Sequence, residues 1–255
     1  MLKRKIESVL AEWKISGAKK PLVIKGIRQC GKTYIVQKFA KENYESVVYM
    51  NFILEPDKKS AFSGNIDVDT IILNLSALIP GSRFIEGNTC IILDEIQECR
   101  EARTALKSFQ IDGRFDVIAT GSLLGVRGYG KSDRTMEDGQ DSIPVGYETV
   151  VEMYPLDFEE FAIALGEDLL VEYIKECFKK REPLERSMHN RAMLVFHQYM
   201  LVGGMPMPVV SFIENKKDFS EADKEKRDIL KLYREDIMKI KAQYRSRVLA
   251  IYDQI

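Results

Sequence analysis

The sequence of 255 residues has few cysteines and histidines and no long apolar run. Its cysteines form no Cys-x-x-Cys pair and have no histidine at metal-ligand spacing, which argues against a zinc site; they are Cys30, Cys90, Cys99 and Cys177. No stretch approaches the roughly 18 to 20 apolar residues that cross a bilayer. The charged N-terminal segment does not resemble a signal peptide. We therefore expect a cytoplasmic protein with reduced thiols and no membrane partner.

The chain also lacks an excess of either charge, since 38 basic and 39 acidic residues give a formal net charge of −1. Constitutive nucleic-acid binders usually carry an evident positive excess, so the composition disfavours that class. With 45% hydrophobic and 30% charged residues, the chain has the balance of a soluble globular protein. Its length allows one large domain, or a core domain and a smaller one.

Strand and helix patterns alternate through the first part of the chain. Apolar, β-branched runs predict strands at residues 21–27, 46–52, 89–96, 115–122 and 147–156. This alternation predicts an α/β fold, with a parallel sheet flanked by helices. Later patterns are almost entirely helical, so we predict a core domain in residues 1–165 and a small, lid-like helical subdomain in residues 166–255. The polar, glycine-rich segment from Val126 to Ser142 predicts a mobile loop.

The first strand runs into a segment that matches the phosphate-loop pattern GxxxxGK[ST] at every fixed position. Its glycines allow successive backbone N–H groups to point at phosphate oxygens at a helix N-terminus. Lys32 is expected to reach the β- and γ-phosphates, and the Thr33 hydroxyl to ligate Mg²⁺. The pattern predicts that ATP or another nucleoside triphosphate is bound by Gly26, Ile27, Arg28, Gln29, Cys30, Gly31, Lys32, Thr33 and Tyr34.

A buried strand pattern at residues 89–96 includes two adjacent acids, Asp94 and Glu95. Phosphate-loop enzymes deliver the carboxylate that bears Mg²⁺ at the end of such a strand, so we predict that Asp94 holds the metal. Glu95 would lie toward the γ-phosphate and polarise the attacking water as a general base. The alternative is a strand that simply ends in surface acids.

The strand pattern at residues 115–122 ends in polar side chains. Thr120 or Ser122 would hydrogen-bond the γ-phosphate or the lytic water and so respond to hydrolysis. An ordinary strand-end turn is the alternative. The order of phosphate loop, acid pair and polar strand end favours the functional interpretation.

Cys30 lies inside the phosphate loop, beside Lys32 and at a predicted helix N-terminus. Both features make a thiol more reactive. We therefore predict that alkylation of Cys30 blocks ATP binding and that Mg-ATP protects the thiol.

Several segments together resemble a family of prokaryotic AAA-type ATPases. They are GIRQCGKT, IILDEIQ, ATGSLLG, YPLDFEEF, YMLVGGMP and YREDI, of which YPLDFEEF and GGMP are the more specific. The resemblance runs from about Lys19 to the last residue. It implies a P-loop NTPase fold of the additional-strand type, with Asp94 as the Walker B acid and Glu95 as the catalytic glutamate. In the same way it implies that the sensor is Thr120 or Ser122.

The family also resembles signalling ATPases in which a glycine-proline turn of the helical subdomain lies against the adenine. Gly204 and Pro206 would form that turn here, and a helix-breaking turn is the alternative. Family members usually continue into a C-terminal domain of unestablished function, so we expect a truncated chain, with DNA contact only through the missing part. No arginine finger is evident by motif. Arg114, Arg127 and Arg134 are candidates, and a homo-oligomer or partner protein is another source.

These features predict a Mg²⁺-dependent ATPase that acts as a switch or motor module. We expect slow turnover in isolation, because arginine fingers supplied in trans contribute roughly 10³ to 10⁵ in rate. The alternative is a nucleotide-gated binding module with negligible hydrolysis. A small-molecule kinase is a third option, which the glutamate beside the Walker B acid disfavours. ATP is preferred over GTP because the sequence has no NKxD-type guanine signature.

Overall fold

The structure is a computed structural model that describes residues 2–16, 19–122, 146–238 and 242–254. Contacts divide the chain into two compact units, one formed by Lys5–Tyr154 and the other by Met1–Arg4 with Pro155–Ile255. The sequence analysis set the domain boundary near residue 165, and that assignment stays a prediction. The predicted loop at residues 126–142 lies outside the described residues.

A parallel sheet forms the centre of the first unit. In chain order, the elements are α1 (Ile6–Ile15), β1 (Leu22–Gly26), α2 (Lys32–Asn43), β2 (Ser46–Asn51), a 3-10 helix (Pro56–Phe62), α3 (Val68–Leu78), β3 (Thr89–Asp94), a 3-10 helix (Ile96–Glu98), α4 (Arg100–Asp112), β4 (Asp116–Ser122) and β5 (Thr149–Met153). The strands lie in the order β2-β3-β4-β1-β5, and every neighbouring pair is parallel. The predicted α/β fold class is confirmed.

Two apolar layers cover the two faces of the sheet, because successive strand residues point to opposite faces. On one face, Val23 and Ile91 belong to a buried core that includes residues of α3 and α4. On the other face, Ile24 and Ile92 belong to a core that includes residues of α1 and α2. Strand β3 is buried along its whole length, as its continuous apolar sequence indicates.

The strand pairing brings the carboxyl ends of the strands to one edge of the sheet. Gly26 at the end of β1 is level with Ser122 of β4 and Met153 of β5. Asn51 at the end of β2 is level with Asp94 at the end of β3. Strand β4 lies between β1 and β3 and is the additional strand that the resemblance implies. Ligands of open α/β sheets bind outside this edge, so a functional site is expected there.

The second unit is built from helices. They are α5 (Phe158–Ala164), α6 (Asp168–Lys180), α7 (Arg186–Val202), α8 (Pro206–Glu214), α9 (Phe219–Met238) and α10 (Ala242–Tyr252). Helix α5 begins with a capping box, in which the side chains of Asp157 and Glu160 each accept a hydrogen bond from the other's backbone N–H. Arg4 and Glu160 form a buried ion pair, with Nε 3.2 Å from Oε1. No helix within the described ranges is long and apolar enough to span a membrane.

Two of the segments that carry the resemblance meet inside this second unit. The N–H of Leu156 donates to the carbonyl of Gly204 at 2.6 Å, and the Tyr199 hydroxyl donates to the Leu156 carbonyl at 3.0 Å. A Cβ atom on Gly204 would lie 2.1 Å from the Leu156 carbonyl oxygen, so this close approach requires glycine. Pro206 is the first residue of α8, where a missing N–H costs nothing. The turn therefore has a packing role, and its contact with adenine stays a prediction.

Candidate functional site

The loop between β1 and α2 contains two residues with positive φ. Gln29 has φ 62° and Gly31 has φ 94°. Left-handed residues in such a loop turn successive N–H groups toward one side, which forms an anion-binding nest. A Cβ atom on Gly26 would lie 2.3 Å from the carbonyl oxygen of Met153, so the neighbouring strand requires glycine at the start of the loop.

The first two residues of α2 direct their side chains to the carboxyl edge of the sheet. Lys32 is buried, and its ammonium donates to the carbonyls of Gly26 and Ile27, each at 2.9 Å. Thr33 Oγ1 donates to Asp94 Oδ2 at 2.9 Å. The structure thus brings the phosphate-loop threonine to the proposed Walker B acid. Their roles toward a nucleotide stay predictions.

Asp94 is 2% exposed, so it is not a surface acid at a strand end. Its Oδ2 atom accepts hydrogen bonds from Thr33, from the Tyr49 hydroxyl at 2.8 Å and from Asn51 Nδ2 at 3.0 Å. Its Oδ1 atom accepts a hydrogen bond from the Thr120 hydroxyl. Donors from α2, β2 and β4 therefore fix this carboxylate in one orientation.

Tyr49 and Asn51 were not predicted as site residues, although the sequence contains a signal for them. They are polar residues two positions apart near the carboxyl end of β2, so they point to the same face of the sheet. The carbonyl oxygen of the Asn51 side chain also accepts the N–H groups of Ile53 and Leu54, which fixes the turn after β2. Burial raises the pKa of Tyr49 to about 12, so its hydroxyl remains a donor to Asp94 at neutral pH.

Glu95 follows β3 in a left-handed conformation, with φ 55°. This conformation is uncommon for residues other than glycine, and such residues cluster at functional sites. The chain then enters the 3-10 turn Ile96–Glu98, and Gln97 Nε2 donates to Glu95 Oε2 at 2.6 Å. Glu95 is half-buried. The sequence predicted the residue but not its backbone strain or its partner.

The two sensor candidates differ in their surroundings. Thr120 is completely buried, and its hydroxyl donates to Asp94. Ser122 is half-buried and lies at the last position of β4, level with Gly26 of the phosphate loop. The structure therefore brings Thr120 to the proposed metal ligand and Ser122 to the edge where the loop begins.

The remaining loop predictions concern Tyr34 and Cys30. Tyr34 is 57% exposed on α2. Cys30 is completely buried, and its Sγ lies 3.7 Å from the carbonyl oxygen of Met153 as a hydrogen-bond donor. Burial makes a thiol less reactive, and the predicted effect of Cys30 alkylation on ATP binding stays a prediction.

The sequence profile of the family described as AAA domain matches residues 18–162, which is more than half of the chain. This chain belongs to the AAA domain family. A search of curated proteins returned no significant match.

The chain is also similar to several solved structures. A Walker-type ATPase of Pyrococcus abyssi has a TM-score of 0.51 at 17% identity, over 97% of this chain and 76% of that chain. PCH-2 of C. elegans has a TM-score of 0.45 at 13% identity, over 87% and 67% of the two chains. AMPPCP-bound DnaA of Aquifex aeolicus has a TM-score of 0.43 at 15% identity, over 91% and 66%. The first of these likenesses supports the P-loop ATPase fold.

The residues of the AAA domain fit a magnesium ion that is shared with a nucleotide. Thr33 and Asp94 place two hard oxygen donors 2.9 Å apart at the mouth of the phosphate loop. Within the described residues, no group of three or more His, Cys, Asp or Glu side chains forms an all-protein metal site. Mg²⁺ usually binds through one or two protein oxygens together with substrate phosphates and water, so this donor set suits it.

The other predicted residues belong to different parts of the chain. Gly204 and Pro206 belong to the second compact unit, whereas the phosphate loop, Asp94 and Glu95 belong to the first. The candidate arginine fingers at positions 127 and 134 lie outside the described residues. Arg114 precedes β4 and is held by Asp112 and Asp69, at 2.8 and 2.6 Å.

Proposed function

We propose that the AAA domain binds ATP with Mg²⁺ and hydrolyses it, and that this cycle serves as a conformational switch or motor module. The observation that carries the proposal is the contact between Thr33 of the phosphate loop and the buried Asp94 carboxylate. P-loop NTPases hold their metal between such a hydroxyl and such a carboxylate. Membership of the AAA domain family supports ATP as the nucleotide.

Each residue of the site then has a task. Lys32 moves its ammonium from the carbonyls of Gly26 and Ile27 to the β- and γ-phosphate oxygens. Backbone N–H groups of the loop and the N-terminus of α2 bind further phosphate oxygens. Glu95 accepts a proton from the attacking water as general base. Bound Mg²⁺ would neutralise charge between the β- and γ-phosphates.

The sensor role is assigned to Ser122 in this proposal. Thr120 uses its hydroxyl to hold Asp94, so it acts as a positioning residue for the metal ligand. Ser122 lies beside the start of the loop in the strand register. Its hydroxyl would there hydrogen-bond the γ-phosphate or the lytic water.

Two variants test the proposal by separating nucleotide binding from hydrolysis. We expect Lys32→Ala to lose ATP binding, because the loop loses the ammonium that this mechanism brings to the β- and γ-phosphates. We expect Glu95→Gln to bind ATP normally and to release phosphate about 10² to 10⁴ times more slowly, which is the usual contribution of a general base. Binding is measured with a fluorescent ATP analogue, and phosphate release is measured with and without Mg²⁺.

Glu98→Gln is the matched control for Glu95→Gln. It makes the same chemical change on the same 3-10 turn, but Glu98 is exposed. Phosphate release should therefore stay at the wild-type rate. A Glu95→Gln protein that releases phosphate as fast as this control contradicts the assignment of the general base.

The alternative function is a nucleotide-gated binding module with negligible hydrolysis, and the position of Arg114 bears on both functions. Arg114 lies at the amino end of β4, whereas the site lies at the carboxyl ends of the strands. It therefore supplies no arginine finger to the site of its own chain. We propose that a neighbouring subunit or a partner protein supplies one, so the isolated chain is a slow ATPase. ATP binding without phosphate release, at any protein concentration, would support the gated module instead.

A further inference from the structure

Gln97 is a polar residue of the IILDEIQ segment that the proposed mechanism leaves without a role. It lies two residues after Glu95, on the 3-10 turn Ile96–Glu98. The left-handed conformation of Glu95 and the hydrogen bond from the Glu98 N–H to the Glu95 carbonyl, at 3.0 Å, close this turn. As a result, the side chains of Glu95 and Gln97 meet, with Nε2 2.6 Å from Oε2.

The orientation of the Gln97 amide follows from the chemistry of its partner. An ionised carboxylate only accepts hydrogen bonds, so the nitrogen of the amide must face Glu95. Among the described residues, Gln97 is the one side chain that donates to the Glu95 carboxylate. A charged acceptor shortens and strengthens such a bond, which agrees with the 2.6 Å separation.

The oxygen atom of the same amide destabilises the folded protein. Gln97 Oε1 is buried and has no hydrogen-bond partner within the described residues. A buried acceptor without a partner destabilises the folded state, and native proteins retain few such atoms without a functional reason. Neither this oxygen nor the strained backbone of Glu95 stabilises the turn.

We propose that Gln97 is a positioning residue, whose amide N–H groups hold the Glu95 carboxylate in the orientation required to activate the attacking water. The inference rests on the proposed function of Glu95 as general base. It extends that function by identifying the group that directs the base. A carboxylate on a strained turn is otherwise free to rotate about its side-chain bonds, and misplacement by about 1 Å costs up to 10²-fold in rate.

The test uses Gln97→Met, which keeps the length of the side chain and removes both polar ends of the amide. We expect kcat for phosphate release to fall about 10- to 100-fold, with KM for ATP unchanged. We also expect the melting temperature to stay close to that of the wild type, because removal of the unpartnered oxygen offsets loss of the hydrogen bond to Glu95. A merely structural role predicts the reverse, with a lower melting temperature and an unchanged kcat.

A second measurement asks whether Gln97 acts through Glu95. Affinity for ADP with aluminium fluoride, which mimics the transferring phosphoryl group, is measured in the wild type, both single variants and the double variant. We expect Gln97→Met to weaken this affinity in the wild-type background and to have no further effect beside Glu95→Gln. Affinity for ADP alone should be the same in all four proteins. An equal loss in both backgrounds overturns the positioning role.

Gln97→Glu is the second variant, in case the methionine protein does not fold. It keeps the shape and the buried oxygen but replaces the donor with a charge that repels Glu95, so kcat should fall at least as far. Glu98→Gln is the control on the same turn and should retain the wild-type kcat. Absence of phosphate release from the wild-type protein would overturn the proposed hydrolysis and this inference together. Wild-type release with full activity in both Gln97 variants would overturn this inference alone.

Discussion

Substitution of Gly204 by alanine distinguishes a packing role of the turn before α8 from a role in nucleotide binding. The added Cβ atom would lie 2.1 Å from the carbonyl oxygen of Leu156 and 3.1 Å from its nitrogen and carbonyl carbon. These are backbone atoms, so a side-chain rotation does not relieve the clash. The two segments must separate, and the hydrogen bond from the Leu156 N–H to the Gly204 carbonyl is lost with them.

The expected cost can be worked out from these two effects. Backbone shifts forced by overpacking cost about 1 to 3 kcal/mol, and loss of a neutral hydrogen bond costs about 0.5 to 1.5 kcal/mol. We therefore expect Gly204→Ala to lower the stability of the helical unit by about 3 kcal/mol. Gly166→Ala is the control, because its Cβ would meet nothing within 4 Å and only its φ of +81° is unfavourable. That change should cost about 1 kcal/mol.

Since two compact units can unfold separately, the assay must report on the helical one. We would follow thermal unfolding by limited proteolysis. Mass spectrometry of fragments from residues 155–238 then reports unfolding of the helical unit. A Gly204→Ala protein no less stable than Gly166→Ala would refute the close-approach argument. The second question is whether the turn contacts the nucleotide. It is decided by the ATP affinity of Gly204→Ala, measured below the unfolding temperature of that protein. A loss of affinity that Gly166→Ala does not share supports contact with adenine.

Of three further predictions, two concern the first unit and one concerns the cysteines of both units. Tyr49→Phe removes one donor to Asp94, so we expect a stability loss of about 1.5 kcal/mol, measured by denaturant unfolding, and a higher Mg²⁺ requirement for phosphate release. A thiol reagent should react slowly with the native protein and completely after unfolding; fast native labelling would contradict the burial of Cys30, Cys90, Cys99 and Cys177. Burial raises the pKa of Glu148, which pairs with Arg103 at 2.6 Å. Because the pKa is raised in the folded state, ionisation of Glu148 lowers the free energy of unfolding as pH rises. Arg103→Met leaves the ionised carboxylate without the charge of Arg103, so it should lower the free energy of unfolding by about 3 to 5 kcal/mol at neutral pH, and by less near pH 5, in denaturant unfolding.

Local sequence patterns were sufficient to predict the strands, the phosphate loop and the acid pair. An apolar run such as β3 is buried on both faces whatever its neighbours are, and a glycine-rich loop before a helix binds anions through its own backbone. The predicted sheet therefore agrees with the structure in strand type and direction. Assignment of Asp94 and Glu95 to the end of β3 needed no knowledge of other elements.

Features that depend on strand order could not be predicted in the same way. Tyr49 and Asn51 reach Asp94 only because β2 lies beside β3, and a local pattern does not specify which strands are neighbours. Cys30 is buried because β5 lies against the start of the phosphate loop, and the sequence analysis considered only the charges beside the thiol. The left-handed conformation of Glu95 had no signal either, since a glutamate does not favour it.

The hydrogen bonds at the edge of the sheet bear on how nucleotide binding would act as a switch. Lys32 donates to two loop carbonyls and Thr33 donates to Asp94, so these groups already have protein partners. A nucleotide with its metal would compete with these bonds, and the net affinity would be the difference between the new contacts and the old ones. In the proposed function, binding would release two loop carbonyls and alter the set of donors around Asp94. Because those donors come from α2, β2 and β4, an exchange of partners at this one carboxylate would reach three elements of the AAA domain, as the proposed conformational switch requires.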